Sequence, residues 1–208
     1  MIKIKEFELE EPSLKRKEAA LEYIDEFYKY NSQINGSGGL DRYIDNYEGW
    51  LEKLEDDYTR IPSEETVPRR TYFLIRKSDD KIIGMINIRL ALNKRLRNYG
   101  GNIGYSIRPT ERRKGYNKIN LYLGLKICKK YGIKEVLLDC DKFNLGSSKT
   151  MQALGGVKAE EYYNPETDET VEKYIINVEQ SIMKNRKLYE EEFYENREER
   201  DLWNIIKD

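Results

Sequence analysis

Apolar and polar positions alternate with two distinct periods along the first quarter of the chain. Residues 2–9 alternate apolar and charged side chains, which predicts a first β-strand. A helix is predicted to begin at Ser13, a residue type that caps helix N-termini, because apolar residues recur on one stripe after it. The glycine-rich segment 35–39 ends this helix, and the apolar period of residues 40–54 predicts a second one.

Two further strands are predicted to form a hairpin in the middle of the chain. Residues 71–77 and 82–92 are rich in β-branched and aromatic residues and flank a polar SDDK turn. In the second strand, Ile82 and Ile86 are expected to share one face with Gly84, and that face should be the core face. The residues between them should face the other way.

A strand–helix–strand unit follows, with strands over residues 102–109 and 136–141 and a helix over residues 115–131. Its length suits a right-handed crossover, so the two strands should be parallel neighbours. A short helix and a closing hairpin complete the pattern, over residues 145–154, 157–163 and 171–178.

The composition changes after residue 178, where long charged side chains surround widely spaced apolar ones. We therefore predict two parts, a domain of residues 1–178 and a charged helical extension of residues 179–208 outside the main fold. The extension would dock on its own domain or on a second copy of the chain, and the second arrangement would make a homodimer.

The charge balance narrows the classes of partner. The chain has 37 Lys and Arg residues against 38 Asp and Glu residues, so neither nucleic acid nor a membrane is expected as a partner, and any anion site must be local. Histidine is absent and the two cysteines lack metal-ligand spacing, so we expect no metal site and no His-based triad. A cytoplasmic location is expected, because no stretch has the apolar length of a signal or membrane-spanning segment.

Three consecutive cations, Arg112, Arg113 and Lys114, precede Gly115 at the predicted strand-to-helix corner. The first N–H groups of a helix lack intrahelical partners, and the helix dipole adds partial positive charge there. Gly115 would let a ligand approach the backbone. The corner therefore predicts a pyrophosphate site. The alternative is a solvated basic turn. That would be the better interpretation of these four residues if they did not lie between a strand and a helix.

The corner and the order of elements resemble the GNAT superfamily of N-acetyltransferases. Arg112 and Gly115 match the pattern Arg/Gln-x-x-Gly-x-Gly/Ala of the superfamily's acetyl-CoA site. The resemblance spans residues 2–178, and the segments INGSGGLDRY, NYGGNIGYSIRPTERRKGY and DCDKFN are similar to one bacterial branch of predicted acetyltransferases. It implies an α/β (α+β) fold with a mixed, largely antiparallel central sheet, helices on both faces and two splayed parallel strands.

The resemblance also implies a reaction. The chain would move an acetyl group from acetyl-CoA to an amine of a small molecule or peptide by direct attack. The backbone N–H near Ile107 would donate to the thioester carbonyl as charge develops on it. The residues that would bind the cofactor are Ile107, Arg108, Arg112, Arg113, Lys114, Gly115, Tyr116, Asn117, Asn144 and Ser147.

A second set of residues would contact the acceptor amine. They are Asn35, Ser37 and Arg89. The first two belong to the glycine-rich segment, which would form a mobile lid over the acceptor; a plain flexible connector is an equal alternative. For Asn144, which belongs to the predicted cofactor-binding set, capping the following helix is an equal alternative to contacting the cofactor.

Three positions depart from the superfamily's pattern. Asn117 stands where Gly or Ala is preferred, and it would either donate a hydrogen bond to the pyrophosphate or crowd it. Met151 stands where many relatives carry a tyrosine that protonates the leaving thiolate. Gly101 and Asn102 lie where a general base is often found, and neither side chain titrates.

Other side chains remain as proton acceptors and donors. Asp139 and Asp141 alternate onto one face at the end of the second splayed strand. We expect Asp141 to take a proton through water and Asp139 to be a solvated strand-end carboxylate. Tyr105 is expected in the core, and Tyr162 is one of several tyrosines that could act as an acid. The catalytic candidates are Ile107, Asn102 and Asp141.

The missing acid and base leave a second hypothesis open. A non-catalytic CoA-binding or protein-interaction module could be built on the same fold. Turnover of acetyl-CoA with amines would separate this module from an enzyme.

Overall fold

Seven β-strands and six α-helices are found in the computed structural model, which describes residues 4–165 and 167–190. The strands are β1 (Phe7–Glu10), β2 (Arg69–Arg76), β3 (Lys81–Arg89), β4 (Ile103–Ile107), β5 (Glu135–Asp141), β6 (Val157–Asn164) and β7 (Glu169–Asn177). The helices are α1 (Lys17–Lys29), α2 (Tyr47–Thr59), α3 (Lys94–Asn98), α4 (Tyr116–Lys130), α5 (Leu145–Ala153) and α6 (Val178–Tyr189).

The strands form two sheets whose edges face each other. The first has the order β1-β2-β3-β4 and the second the order β5-β7-β6, and every pair within each sheet is antiparallel. The predicted mixed fold with two splayed strands is confirmed. β4 and β5 do not, however, pair as a parallel ladder, because they belong to different sheets.

The two sheets are joined at Asn102, immediately before β4. Its backbone N–H donates to the Leu137 carbonyl at 2.7 Å, and its side-chain Oδ1 accepts from the Leu137 N–H at 2.9 Å. On the other side, its Nδ2 donates to the Arg89 carbonyl at 3.3 Å and its carbonyl accepts from the Arg89 N–H at 2.8 Å. Gly101 lies at the same point with φ +58°, and a Cβ there would come within 2.2 Å of the Leu137 carbonyl oxygen. Beyond this joint, no backbone hydrogen bond links β4 to β5 within the described residues.

Strand β3 lies at the centre of the domain and is buried on both faces. Ile86 packs with residues of α4 in one hydrophobic cluster, and Met85 packs with residues of α1 and α2 in the other. Helices therefore cover both faces of the first sheet. The long apolar run of β3 is explained by this burial rather than by a single core face.

A β-bulge in β3 changes which residues face α4. Consecutive residues of β2 pair with Gly84 and with Ile82, so Ile83 is an inserted residue. Ile83 faces the α4 cluster, whereas Ile82 packs in the cluster of α1 and α2. The prediction that Ile82 shares a face with Gly84 is therefore wrong.

Polar side chains fix where several helices begin. Four asparagine side chains accept the N–H group three residues further along; these caps are Asn46, Asn93, Asn144 and Asn177. Ser13 makes no such bond, and a short 3₁₀ turn separates it from α1. The second predicted helix begins later than its apolar period, at Tyr47, after another 3₁₀ turn. The residues between the predicted strands 82–92 and 102–109 include a further helix, α3.

Helix α6 packs on the domain. The Tyr189 ring lies 4.9 Å from that of Tyr122 on α4, and Lys126 pairs with Glu190 at 2.7 Å. Residues 178–190 thus extend the core rather than stand outside it. The rest of the predicted extension, residues 191–208, lies outside the described residues. The homodimer that this extension would make therefore stays a prediction.

The Asn102 joint can be tested by mutation. Asn102→Ala should lower the free energy of unfolding by about 2 kcal/mol, because the Leu137 N–H and the Arg89 carbonyl would each lose a partner in a buried place. Urea unfolding followed by circular dichroism measures the change. Asn98→Ala is the control, since the Asn98 side chain is exposed. Equal losses in the two variants would contradict the prediction.

Candidate functional site

The chain bends sharply between β4 and α4. A short 3₁₀ turn, Pro109–Glu111, leads into a segment in which Arg113 and Gly115 have φ values of 62° and 84°. Glycine adopts this left-handed conformation without a steric cost, and α4 begins directly after it. In the described part of the chain, the backbone N–H groups of residues 113–117 donate to no acceptor. They form an open set of donors at the positive end of the helix dipole.

The first two of the three consecutive cations have different surroundings. Arg112 donates to the Ile107 carbonyl at 3.1 Å and to the Ser32 hydroxyl at 2.7 Å, so it ties the end of β4 to the loop after α1. Arg113 is exposed and makes no hydrogen bond or ion pair with the described residues. Arg113 is therefore the cation that the corner can offer to a ligand.

The third cation, Lys114, is paired with the buried carboxylate of Glu111 at 2.8 Å. Glu111 is 6% exposed and also accepts from Arg76 at 3.0 Å. Burial alone would raise the pKa of Glu111, but the hydrogen bonds from Arg76 and Lys114 outweigh it and hold this pKa below its ordinary value. The sequence offers one signal for this counter-charge, the three-residue spacing between Glu111 and Lys114.

Two other residues of the predicted cofactor set have side chains in structural contacts. Arg108 is buried, and its guanidinium pairs with Glu22 at 3.0 Å and with Glu26 at 3.5 Å on α1. The Tyr116 ring packs on Phe7 with ring centroids 5.1 Å apart. The Arg108 backbone is also engaged, because its N–H donates to the Ile83 carbonyl and its carbonyl accepts from the Glu111 N–H, both at 2.9 Å. Tyr116 stabilises the start of α4 against β1.

The gap between β4 and β5 is lined by backbone donors. The Arg108 N–H donates to the Ile83 carbonyl of β3 at 2.9 Å. Because N–H directions alternate along a strand, the N–H groups of Tyr105 and Ile107 point away from β3, toward the edge of β4 that no strand of the described residues covers. These two groups are available to a ligand threaded between the strands.

The first turn of α5 contacts β4. The Asn144 side chain accepts from the Ser147 N–H at 3.1 Å and so caps the helix, which agrees with the simpler of its two expected roles. The Ser147 hydroxyl shares a 2.7 Å hydrogen bond with the hydroxyl of Tyr105. Burial raises the pKa of Tyr105 well above its ordinary value, so this hydroxyl stays protonated. Met151 is buried in the core beneath.

Asn117 is directed toward α5. Its Nδ2 donates to the Thr150 hydroxyl at 3.3 Å, while its Oδ1 is buried without a partner. The side chain therefore links two helices and does not lie across the open N–H groups of the corner. Its hydrogen bond to Thr150 is neither of the two expected roles, which concern the pyrophosphate and stay predictions.

The glycine-rich segment is held on several sides. The Ser106 hydroxyl donates to the Asn35 carbonyl, and Lys53 donates to another carbonyl of the segment at 2.7 Å. Ser37 is buried, and its hydroxyl donates to Asp41 at 2.9 Å. A lid with Ser37 as a polar contact does not fit this arrangement, because that side chain faces inward. The Asn35 side chain is exposed.

Arg89 supports the segment before β4. Its guanidinium donates to the carbonyls of Gly100 and Gly101 at 3.0 and 2.9 Å. Burial, helped by the positive charge of Arg69 and opposed by the negative charge of Asp139, lowers the pKa of Arg89 to about 10. The side chain predicted to contact the acceptor is thus bonded within the fold, as is that of Asn102, whose polar atoms all serve the joint.

The two aspartates of β5 have different partners. Asp141 accepts from the Phe143 N–H at 3.0 Å in the turn that follows the strand. Asp139 is half-buried, and its Oδ2 accepts from the Gly100 N–H at 2.7 Å and from the Tyr162 hydroxyl at 2.6 Å. The Oδ1 of Asp139 is buried and has no partner among the described residues. The expectation that Asp139 is a solvated carboxylate is wrong.

These groups suit one kind of ligand. A pyrophosphate needs several donors and a cation, which the N–H groups of residues 113–117 and Arg113 supply. An extended arm with polar groups would meet the free N–H groups of β4. In the part of the chain that the structure describes, no cluster of three or more His, Cys, Asp or Glu side chains is suited to a metal ion. Within the same residues, no helix combines the length and apolarity needed to cross a membrane.

Comparison with known proteins agrees with this geometry. The model of the acetyltransferase (GNAT) family matches residues 39–155. No curated protein matches the chain in sequence. Among solved structures, RimJ from Mycobacterium smegmatis in complex with CoA-disulfide superimposes with a TM-score of 0.64 at 11% identity, over 86% of this chain and 88% of that one.

Two further solved structures are similar. The microcin C7 self-immunity acetyltransferase MccE, in complex with acetyl-CoA and AMP, has a TM-score of 0.61 at 15% identity, over 83% of this chain and 92% of that one. The ribosomal-protein-S5-alanine acetyltransferase from Vibrio fischeri has a TM-score of 0.60 at 14% identity, over 83% and 93%. At such low identities the likeness shows the shared fold.

The buried counter-charge of the corner generates a pH-dependent prediction. Glu111→Gln should lower the free energy of unfolding at neutral pH by about 2 kcal/mol, because Arg76 and Lys114 lose their buried partner. A carboxyl group whose pKa is depressed in the folded state contributes stability above its unfolded pKa, and this contribution is lost as the pH falls through the folded pKa. The difference between parent and variant should therefore shrink below about pH 4.

Urea unfolding at neutral pH and at about pH 3.5 measures this difference. Glu48→Gln removes an exposed partner of Lys17 and serves as the control, with little effect expected at either pH. A loss in Glu111→Gln that stays constant across the two pH values would contradict the assignment.

Proposed function

Because the chain belongs to the acetyltransferase (GNAT) family, we propose that it transfers an acetyl group from acetyl-CoA to an amine of a small molecule or peptide by direct attack. One observation carries the proposal. The N–H groups of residues 113–117 and the Arg113 side chain have no partner among the residues that the structure describes, and they lie together at the start of α4. This set of donors suits the pyrophosphate of acetyl-CoA.

The residues of the corner divide into two roles. Arg113 and the backbone from Arg113 to Asn117 would contact the pyrophosphate. Arg112 and Lys114 would fix the shape of the corner, through Ser32 and Glu111 respectively. Arg108 would fix the end of β4 from within the fold, since its backbone N–H and carbonyl are bonded to Ile83 and Glu111. The start of α5, with Asn144 and Ser147, would border the pantetheine arm.

The reaction would take place in the gap between β4 and β5. Bound acetyl-CoA supplies the activated acetyl group, whose carbonyl would accept a hydrogen bond from the Ile107 N–H. That N–H is fixed by the pairing of β4 with β3 and needs no rearrangement as negative charge develops on the oxygen. The buried strands also keep bulk water from the thioester.

The acceptor is proposed only as an amine. The similar enzymes are named for a ribosomal-protein alanine and for microcin C7 self-immunity, and these names do not point to one shared acceptor. Asn35 is the exposed polar side chain of the glycine-rich segment that could contact an acceptor.

Isothermal titration with acetyl-CoA tests the corner. Arg113→Glu should weaken binding about 10- to 100-fold, because it removes one charge-assisted contact and adds a repulsive charge. Gly115→Glu should weaken binding at least as much, since a side chain at φ 84° is strained and stands beside the N–H groups that donate to no described residue.

The matched control is Lys184→Glu, the same charge reversal at an exposed position of α6. It should bind acetyl-CoA as the parent does. Equal dissociation constants for all four proteins, each shown to be folded by circular dichroism, would refute a pyrophosphate site at this corner.

A non-catalytic CoA-binding module is the second proposal. It is favoured by the burial of Met151 and by the full use of Asn102 in the joint, which leave the usual acid and base positions without a titrating group. A panel of amines scored for CoA release separates the two. Binding of acetyl-CoA without release above hydrolysis would support the module, and acetylated amine would support the enzyme.

A further inference from the structure

We propose that Asp139 is the subsite for the acceptor's ammonium group and takes its proton, and that Tyr162 is its positioning residue. The inference rests on the proposed acetyl transfer and names the acceptor more narrowly, as a primary alkylamine that is protonated when it arrives. It is carried by the carboxylate oxygen that the fold leaves without a partner.

The Oδ1 atom of Asp139 is buried, and no described residue donates to it. Burying a carboxylate oxygen without a hydrogen bond is costly, and buried polar atoms in native proteins are almost always paired. An ionised carboxylate only accepts, so the missing group must be a donor. Among possible donors, an ammonium group would bind this carboxylate oxygen most strongly, because its positive charge and its hydrogen bond both stabilise the contact.

The location of Asp139 suits an acceptor. The Asn102 joint sets the register of β4 and β5, and two residues beyond it along each strand lie Gly104 and Asp139. Leu138 packs in the α4 cluster, so Asp139 faces the opposite side by strand alternation. Gly104 has no side chain, and Gly36 of the glycine-rich segment lies against it. The proposal therefore places the approach of the amine on this side of the gap, away from α4.

The pair Tyr162 and Gly100 holds the carboxylate in one orientation. Both donate to Oδ2, at 2.6 and 2.7 Å, which leaves Oδ1 as the presented atom. Tyr162 is itself fixed by Tyr99, with ring centroids 5.5 Å apart, and by Lys173, whose ammonium lies 4.9 Å from its ring centroid. The charged and titratable groups around Asp139 and Tyr162 are Arg89, Tyr99, Cys140, Glu160 and Lys173.

The proton and electron changes balance. Oδ1 of Asp139 accepts one proton from the ammonium, so an N–H bond breaks and an O–H bond forms. The freed nitrogen lone pair forms the C–N bond to the thioester carbon, and the C–S bond breaks with its electron pair on sulfur. The second proton of the new ammonium-like nitrogen passes to the thiolate, and Asp139 returns its proton to water.

The chain contains a matched control pair. Tyr163 donates to Asp168 at 2.6 Å, as Tyr162 does to Asp139, but Tyr163 is exposed beside the β6–β7 turn. The test variants are Asp139→Asn and Tyr162→Phe, and the controls are Asp168→Asn and Tyr163→Phe. All are compared with benzylamine and other primary alkylamines, which are protonated at neutral pH, and with aniline, which is neutral.

For the alkylamine that the parent acetylates best, Asp139→Asn should lower kcat/KM about 100-fold or more, and Tyr162→Phe about tenfold. With aniline both variants should stay within about threefold of the parent, because no proton has to be removed before attack. The two controls should match the parent with either amine. Equal losses for charged and neutral amines would overturn the proposal, since they would indicate a merely structural role.

Calorimetric titration of each protein with the same alkylamines, in the presence of CoA, separates this inference from the proposed function. A parent that binds an alkylamine without turnover refutes the enzyme; the subsite is then supported if Asp139→Asn abolishes that binding and overturned if it does not. A parent that binds and acetylates none of the alkylamines also overturns it. Should Asp139→Asn fail to fold, Tyr162→Phe carries the comparison of charged with neutral amines.

Discussion

A gap lies between β4 and β5 because, in the described residues, the two strands are joined next to Asn102 and do not pair along their length. The backbone and side chain of Asn102 bond to β3 on one side and to β5 on the other, so this residue joins the two sheets just before β4 begins. If the two strands paired along their length, the N–H groups of Tyr105 and Ile107 would be consumed by β5. The binding capacity of the site is therefore a consequence of incomplete sheet pairing, which the two hydrophobic cores and this joint make stable.

The corner after β4 shows how a nearly neutral chain concentrates positive potential without carrying a large net charge there. Lys114 is compensated by Glu111, and Arg112 is engaged with neutral oxygens, so the local excess is mainly that of Arg113. Aligned backbone N–H groups supply the rest at the helix terminus. Such a site recognises an anion by the geometry of its amides more than by its cation count, and its affinity should depend less on salt than that of a lysine-rich surface.

Local patterns predicted most of the element order and the strand–helix–strand unit, and they offered a helix cap as one of two roles for Asn144, because each depends on residues close in sequence. Three features did not follow from such patterns. The bulge that turns Ile82 away from its expected face depends on pairing with β2, and the inward orientation of Ser37 depends on contacts of a folded loop. The burial of Asp139 depends on Gly100 and Tyr162, which lie 39 and 23 residues away in sequence.

Three acceptor oxygens are buried without a partner among the described residues, on Asn117, Asn120 and Asp139. They are not equivalent. The two amide oxygens are neutral, and both amide groups keep one hydrogen bond through Nδ2. A carboxylate oxygen carries negative charge, so its desolvation costs more than that of an amide. The fold keeps this desolvated oxygen beside the gap between β4 and β5, and it fixes the other oxygen of Asp139 with two short hydrogen bonds. This arrangement fits the proposed cationic donor, which arrives with the substrate.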